Sequence, residues 1–360
     1  STLLGLAGTP SIQLAKKIVE LCERIPGSTD PLTRVFFSDS GSTSVEVALK
    51  MAFQYQQQIG QTERTRFAAL AEAYHGDTIG SVSVGGIDLF HAIYRPMLFD
   101  AVRLPSPDRP DHEGEQELLE EARSLFAAHG SELAALVVEP LVQGAAGMRM
   151  HSPEFVRELM TMARSCGALI IVDEVATGMG RTGTLFALEQ VGLRPDLLCL
   201  AKGISGGYLP LALTLATERV YDAFRGPYTD FRTLFHGHTF TGNALACAAA
   251  LASLEAWETD QVLDGLPERI RALTEALEGL PSAHIVETRQ RGMMAGVVLR
   301  HDCDPEDRIG HRVCMAIRSH GVVLRNLGDV MVLMPPLAMT PAQIRQLGEA
   351  LALAIVDVLG

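Results

Sequence analysis

Four stretches constrain the fold of this chain more than any others: "LAALVVEP" (133–140), "ALIIVDEV" (168–175), "PDLLCLA" (195–201) and "PLALTLAT" (210–217). Each contains a continuous apolar run rather than an alternating one. A strand reads this way when both its faces are covered, as in a parallel sheet sandwiched between helices. The segments between and before them carry helical periodicity: 10–24, 43–60, "EGEQELLEEARSLFAAHG" and 152–167. Their start signals are Pro10, Thr43 with Glu46 at capping-box spacing, and Ser152-Pro153-Glu154; Gly60 is a stop. "TRVFFSDSG" (33–41) and the start of "RFAALAEAYHGDT" (66–78) add two strands. The pattern predicts an α/β fold with a mostly parallel central sheet and helices on both faces. The last third changes rhythm. Helices near 262–278 and 307–319, strand-like "MMAGVVLR" (293–300), "GVVLR" and "VMVLMPP", and a terminal helix predict a smaller C-terminal α+β domain. The expected division is a large domain over 1–255 and a small one over 256–360, bridged by the helix 241–258.

Composition narrows the function classes. With 360 residues, 47% of them apolar and mean hydropathy +0.17, the chain can bury a large core and suits an oligomer. A net charge of −13 sets its surface against nucleic-acid phosphates, so nucleic acid is not an expected partner. Six cysteines without a CxxC read as buried free thiols in a reducing compartment, the cytoplasm. No apolar run reaches membrane-spanning length. The first residue is Ser1 rather than Met, so the natural start of the chain is not expected to be included.

The chemistry gathers at strand ends, where open α/β sheets bind ligands. Glu139, Asp173 and Lys202 all stand at such ends. The chain has only four lysines, and Lys16, Lys17 and Lys50 lie in helical patterns; Lys202 instead follows an apolar strand and precedes the loop "GISGG". A lysine amine condenses with an aldehyde, and an aspartate holds a ring nitrogen protonated, so the pair points to pyridoxal phosphate. A structural Asp–Lys ion pair fits the same spacing. Ser40, Gly41 and Ser42 open a helix and can cup a phosphate, as well as serving as an ordinary capped start. Tyr74, in "YHGDT", can stack on a cofactor ring or be a plain loop tyrosine. Thr239, in "HGHTFTGN", can donate to a phosphate. His236 and His238 have the spacing of two metal ligands, but no carboxylate or cysteine joins them nearby in sequence, and no metal site is expected.

The combination is more specific than its parts. "DSGSTSVEVALKMA", "AYHGDT", "VVEPLVQGAAGMRM", "VDEVATGMGRTG", "PDLLCLAKGISGG" and "FHGHTFTGNALACAAA" occur in this order and closely resemble the motifs of the class III, fold-type I, pyridoxal-phosphate aminotransferases over essentially the whole chain. The resemblance implies that Lys202 carries the cofactor and Asp173 meets its pyridine nitrogen. It places Gly41 and Ser42 on the phosphate and Tyr74 against the ring. Thr239 then reaches the phosphate of the neighbouring subunit, which implies a homodimer with shared active sites. Arg325 matches an arginine that holds a substrate carboxylate, and Arg181 one near the substrate. "GAAG" puts Ala145 where relatives acting on ornithine or γ-aminobutyrate have a glutamate. That departure fits the branch that converts 8-amino-7-oxononanoate to 7,8-diaminononanoate in biotin biosynthesis, with S-adenosylmethionine as amino donor. His238, where one sub-branch has proline, leaves lysine open as the donor. The rival readings are another class III aminotransferase or aminomutase, and a non-catalytic protein on this scaffold; the latter is expected to lose Lys202 or Asp173. Relatives carry a segment ahead of the position of Ser1 that completes the small domain and lends aromatic groups to the pocket.

Overall fold

A computed structural model describes residues 6–27, 30–107 and 114–360. In chain order its strands are β1 (Leu32–Ser38), β2 (Arg66–Leu70), β3 (Ala101–Leu104), β4 (Leu133–Val138), a short ribbon of β5 (Val142–Gln143) and β6 (Arg149–Met150), then β7 (Leu169–Asp173), β8 (Leu197–Leu200), β9 (Ala212–Thr217), β10 (Ile285–Arg291), β11 (Met294–Leu299), β12 (Arg325–Leu327) and β13 (Val330–Leu333). A seven-stranded sheet runs β1-β9-β8-β7-β4-β2-β3. Ala69, Val137, Ile171 and Cys199 point to one face, where the helix Gly41–Gln58 packs. Ala68, Leu136, Ile170 and Leu198 point to the other, against the helices Thr9–Cys22, Glu115–His129 and Pro153–Ser165. Burial of both alternating sets explains why the strands are apolar without interruption.

One strand departs from the parallel pattern. β9 pairs antiparallel with both β8 and β1. Residues 201–211 join β8 to β9 with only the 3-10 turn Lys202–Ser205, too short a path for a helical crossover, so the chain turns straight back.

The second sheet, β10-β11-β13-β12, is antiparallel and covered by the helices Val262–Glu278, Ile309–Ala316 and Pro341–Leu359 around its own core. The run "GVVLR" contributes only Arg325 to it, because Gly321 sits at φ +78° ending the preceding turn and Val323 is exposed. The expected boundary after residue 255 falls inside the helix Ala244–Thr259. The helix expected from Thr43 starts at Gly41 instead. Ser40 is its cap, accepting from Thr43 N, while Thr43 Oγ1 accepts from Ser40 N. Glu46, expected to close a capping box, instead accepts from Gly80 N at 2.6 Å. Of the six free cysteines, Cys22, Cys199, Cys247 and Cys314 are buried; Cys166 is half-buried and Cys303, in the polar run "HDCDPED", is exposed. Among the described residues, no helix is long and apolar enough to cross a membrane.

Candidate active site

A cavity of about 1690 Å³ opens at the carboxyl ends of β4, β7 and β8, and the small domain forms its opposite wall. Parallel pairing of β7 with β8 sets Asp173 beside Cys199, three residues before Lys202. Lys202 takes φ +43°, a left-handed conformation that costs a non-glycine residue roughly 1–3 kcal/mol. Its side chain is exposed, and it lines the cavity.

Asp173 is buried and held by two donors. Its Oδ1 accepts from Val175 N at 3.0 Å and its Oδ2 lies 2.8 Å from His75 Nδ1. A carboxylate only accepts, so the His75 proton sits on Nδ1. Nε2 of the same ring is buried and has no partner. Each oxygen of Asp173 retains lone-pair capacity toward the cavity that it lines.

Tyr74 is fixed at three points. Its N–H donates to Glu139 Oε2 at 3.0 Å, its hydroxyl donates to Asp77 Oδ2 at 2.9 Å, and its ring lies nearly parallel to His91 with centroids 6.3 Å apart. Burial, with Asp77 adding to it, pushes the phenol up to about 12, partly opposed by the charge of Arg325 across the cavity. Burial likewise pushes the Glu139 carboxyl up to about 7, against the opposing pull of His75.

The floor of the site is a helix start. The first turn of a helix leaves N–H groups without intrahelical partners, and Gly41 and Ser42 bring that turn to the cavity wall. Ser42 Oγ lies 2.7 Å from Thr78 Oγ1 and accepts from Thr78 N at 3.0 Å, tying the helix start to the loop after β2. Two glycines permit this approach. A Cβ on Gly41 would stand 2.6 Å from Val175 Cγ1, and one on Gly76, at φ +113°, 2.4 Å from Ser42 Cβ.

Six of the eight residues to which the resemblance gives a role thus line one cavity, Gly41, Ser42, Tyr74, Asp173, Lys202 and Arg325, together with Ser40 and Glu139. Arg325, at the start of β12, is exposed. Arg181 does not line it. Burial lowers the basicity of its guanidinium, which donates to the carbonyl of Pro335, itself a lining residue, at 2.7 Å. Thr239 lies outside the cavity of its own chain and is exposed. Sequence reasoning missed His75. Its signal was its place beside Tyr74 in the loop after β2, but nothing in the sequence tied it to a residue 98 positions away. Among the described residues no three metal-ligating side chains converge.

Comparison with known proteins gives the family. The family model described as aminotransferase class-III matches residues 4–355. The adenosylmethionine-8-amino-7-oxononanoate aminotransferase of Nitratidesulfovibrio vulgaris is 52% identical, over 99% of this chain and 68% of that protein. The crystal structure of the enzyme of the same name from Methanocaldococcus jannaschii superposes with a TM-score of 0.91 at 38% identity, covering 100% of this chain and 82% of that one. An amine transaminase from an uncultivated Pseudomonas species, solved in its PLP-bound form, gives a TM-score of 0.89 at 33% identity, over 99% and 83% of the two chains. The match over nearly the full length shows that the chain belongs to the class III aminotransferases, which are pyridoxal-phosphate-dependent enzymes.

Proposed function

We propose that this enzyme transaminates 8-amino-7-oxononanoate to 7,8-diaminononanoate, the biotin-pathway step named in its relatives, with S-adenosylmethionine as amino donor. The observation that carries the reading is the single cavity in which Lys202 and Asp173, from neighbouring strand ends, face Arg325 from the small domain. The division into a large unit over 1–255 and a small one over 256–360 belongs to the same proposal, since it lets the two walls come from separate cores.

The residues present fit pyridoxal phosphate. They supply a flexible amine, a buried carboxylate with free lone pairs, a hydroxyl-bearing ring and a glycine-serine helix start. When bound, that group supplies an aldehyde for amines and a ring that withdraws electrons once its nitrogen is protonated. Asp173 would hold the ring N–H, oriented by His75 and Val175 N. The amide groups of Gly41 and Ser42 would hold the phosphate. The Nζ of Lys202 takes the α-proton of the amine substrate and returns it. Arg325 binds the acceptor's carboxylate, while Met148, Met294 and Leu324 offer an apolar wall to its methylene chain. Ala145 leaves that wall without a carboxylate to compete for Arg325.

The assembly proposed is a homodimer. Tyr208, Tyr228, Phe235 and Leu89 are each more than 70% exposed, an apolar surface that a second copy would cover. Thr239 is also exposed, and in such a dimer it would serve the neighbouring subunit's phosphate. The free thiols suit the cytoplasm.

The test is a half-reaction. The protein loaded with pyridoxal phosphate is mixed separately with S-adenosylmethionine and with lysine, and the visible band of the bound cofactor is followed. Bleaching by S-adenosylmethionine, reversed by 8-amino-7-oxononanoate, is the expected result. Bleaching by lysine alone would move the donor. Recovery with simple ketones but not with 8-amino-7-oxononanoate would overturn the acceptor.

A further inference from the structure

The segment "HGHTFTGN" carries two histidines that the reaction leaves without a role. The rings of His236 and His238 meet with Nε2 to Nε2 at 3.3 Å. Nδ1 of His236 lies 3.1 Å from Lys50 Nζ, on the helix Gly41–Gln58. Nδ1 of His238 lies 4.0 Å from Asp39 Oδ2, just ahead of that helix's cap. The His236 ring also stands edge-on to Phe36, with centroids 6.0 Å apart.

These contacts fix every proton. An ammonium only donates, so His236 Nδ1 accepts from Lys50. A neutral imidazole has one N–H, which His236 must then carry on Nε2 and donate to His238 Nε2. His238 is left with its proton on Nδ1, directed at the Asp39 carboxylate. Burial and the Lys50 charge both disfavour a second proton on His236. The same two nitrogens have the bite of a metal chelate, but an ion needs a free lone pair at His236 Nε2, the nitrogen that carries hydrogen here.

We propose that His236 and His238 are positioning residues. Two hydrogen bonds in one direction, Lys50 to His236 and His236 to His238, with a longer 4.0 Å contact from His238 to Asp39, clamp the segment bearing Thr239 onto the helix whose start cups the phosphate. One element then sets both this subunit's phosphate cup and the hydroxyl offered to its neighbour. The coupling rests on the reading in which Thr239 serves the cofactor across the dimer; the chain of protons does not.

The experiment uses the full-length dimer loaded with pyridoxal phosphate and labelled with ¹⁵N-histidine. Long-range ¹⁵N–¹H correlation reads the tautomers, with His236→Gln and His238→Gln assigning the signals. The expected result is Nε2–H for His236 and Nδ1–H for His238. In Lys50→Met the His236 signal shifts toward the other tautomer, a change that a merely space-filling ring would not show. An Nδ1–H form of His236 in the native protein, or its perturbation by stoichiometric Zn²⁺, overturns the chain. His238→Ala should release cofactor about tenfold more readily, the loss expected of one hydrogen bond, with the dimer unchanged in ultracentrifugation and part of the loss recovered in His238→Gln. Thr239→Val separates the two claims. If it weakens cofactor retention and His238→Ala does not, the clamp is refuted. If neither does, the Thr239 reading fails while the tautomers still report on the chain.

Discussion

The carboxyl of Glu139 is in the middle of its titration near neutral pH, because burial pushes it up to about 7 from the ordinary 4.5. Glu139→Gln removes that titration and keeps an oxygen for the Tyr74 N–H. Between pH 4.5 and 7 the folded protein retains a proton that the unfolded chain has lost. The folded state binds more protons, so stability falls as pH rises through this window. Below it both states are protonated, and above it both are ionised and the loss is complete. A gap of roughly two and a half pH units, at about 1.4 kcal/mol each, gives about 3.5 kcal/mol in full, of which about 3 kcal/mol falls between pH 4.5 and pH 8 because the unfolded group is already half ionised at pH 4.5. Burial raises Glu174 in the same direction, to about 8. It slopes equally in both proteins and cancels in their difference. Urea unfolding at fixed protein concentration and without added cofactor, followed through Trp257, the only tryptophan, should show the variant gaining on the parent by about 3 kcal/mol from pH 4.5 to pH 8. Parallel stability curves would refute a proton on Glu139 and, with it, the account of a site wall that holds Tyr74 through a carboxyl group mostly neutral below pH 7.

Other variants probe the remaining parts. Lys202→Ala should eliminate the visible band of the bound cofactor and nearly all turnover, read by spectrum and by product formation. His75→Leu removes a donor to a buried carboxylate. At about 1.5–3 kcal/mol it should lower kcat/KM by roughly 10- to 150-fold, and His75→Asn, which restores an amide N–H near the Nδ1 position, should recover part of it. Gly76→Ala forces a Cβ into Ser42 at a left-handed φ, so cofactor affinity should fall and urea stability drop by about 1–3 kcal/mol. Arg325→Met should raise KM for 8-amino-7-oxononanoate by about 10- to 100-fold, the loss of a charge-assisted hydrogen bond, with a smaller effect on an acceptor that lacks the carboxylate.

What the sequence made legible follows from how each residue is positioned. Asp173 and Lys202 stand at the ends of apolar runs, and a strand end in a covered sheet has one destination, the ligand crevice. The helix start at Gly41 was readable for the same local reason, although its cap was read three residues late because Ser40 and Thr43 both have the chemistry of a cap. The direction of β9 depended on a short connection after β8, not on any property of its own residues. His75, Glu46 and Thr78 were harder still. Each acts on a residue from another element: His75 on Asp173, Glu46 on Gly80 N, and Thr78 on Ser42. Local pattern gives the groups that can do the chemistry, while the groups that hold them at the required angle arrive by tertiary contact. His75→Leu against His75→Asn measures that second layer directly. If the two variants are equally impaired, the hydrogen bond to Asp173 is not what the ring contributes, and shape alone accounts for its place.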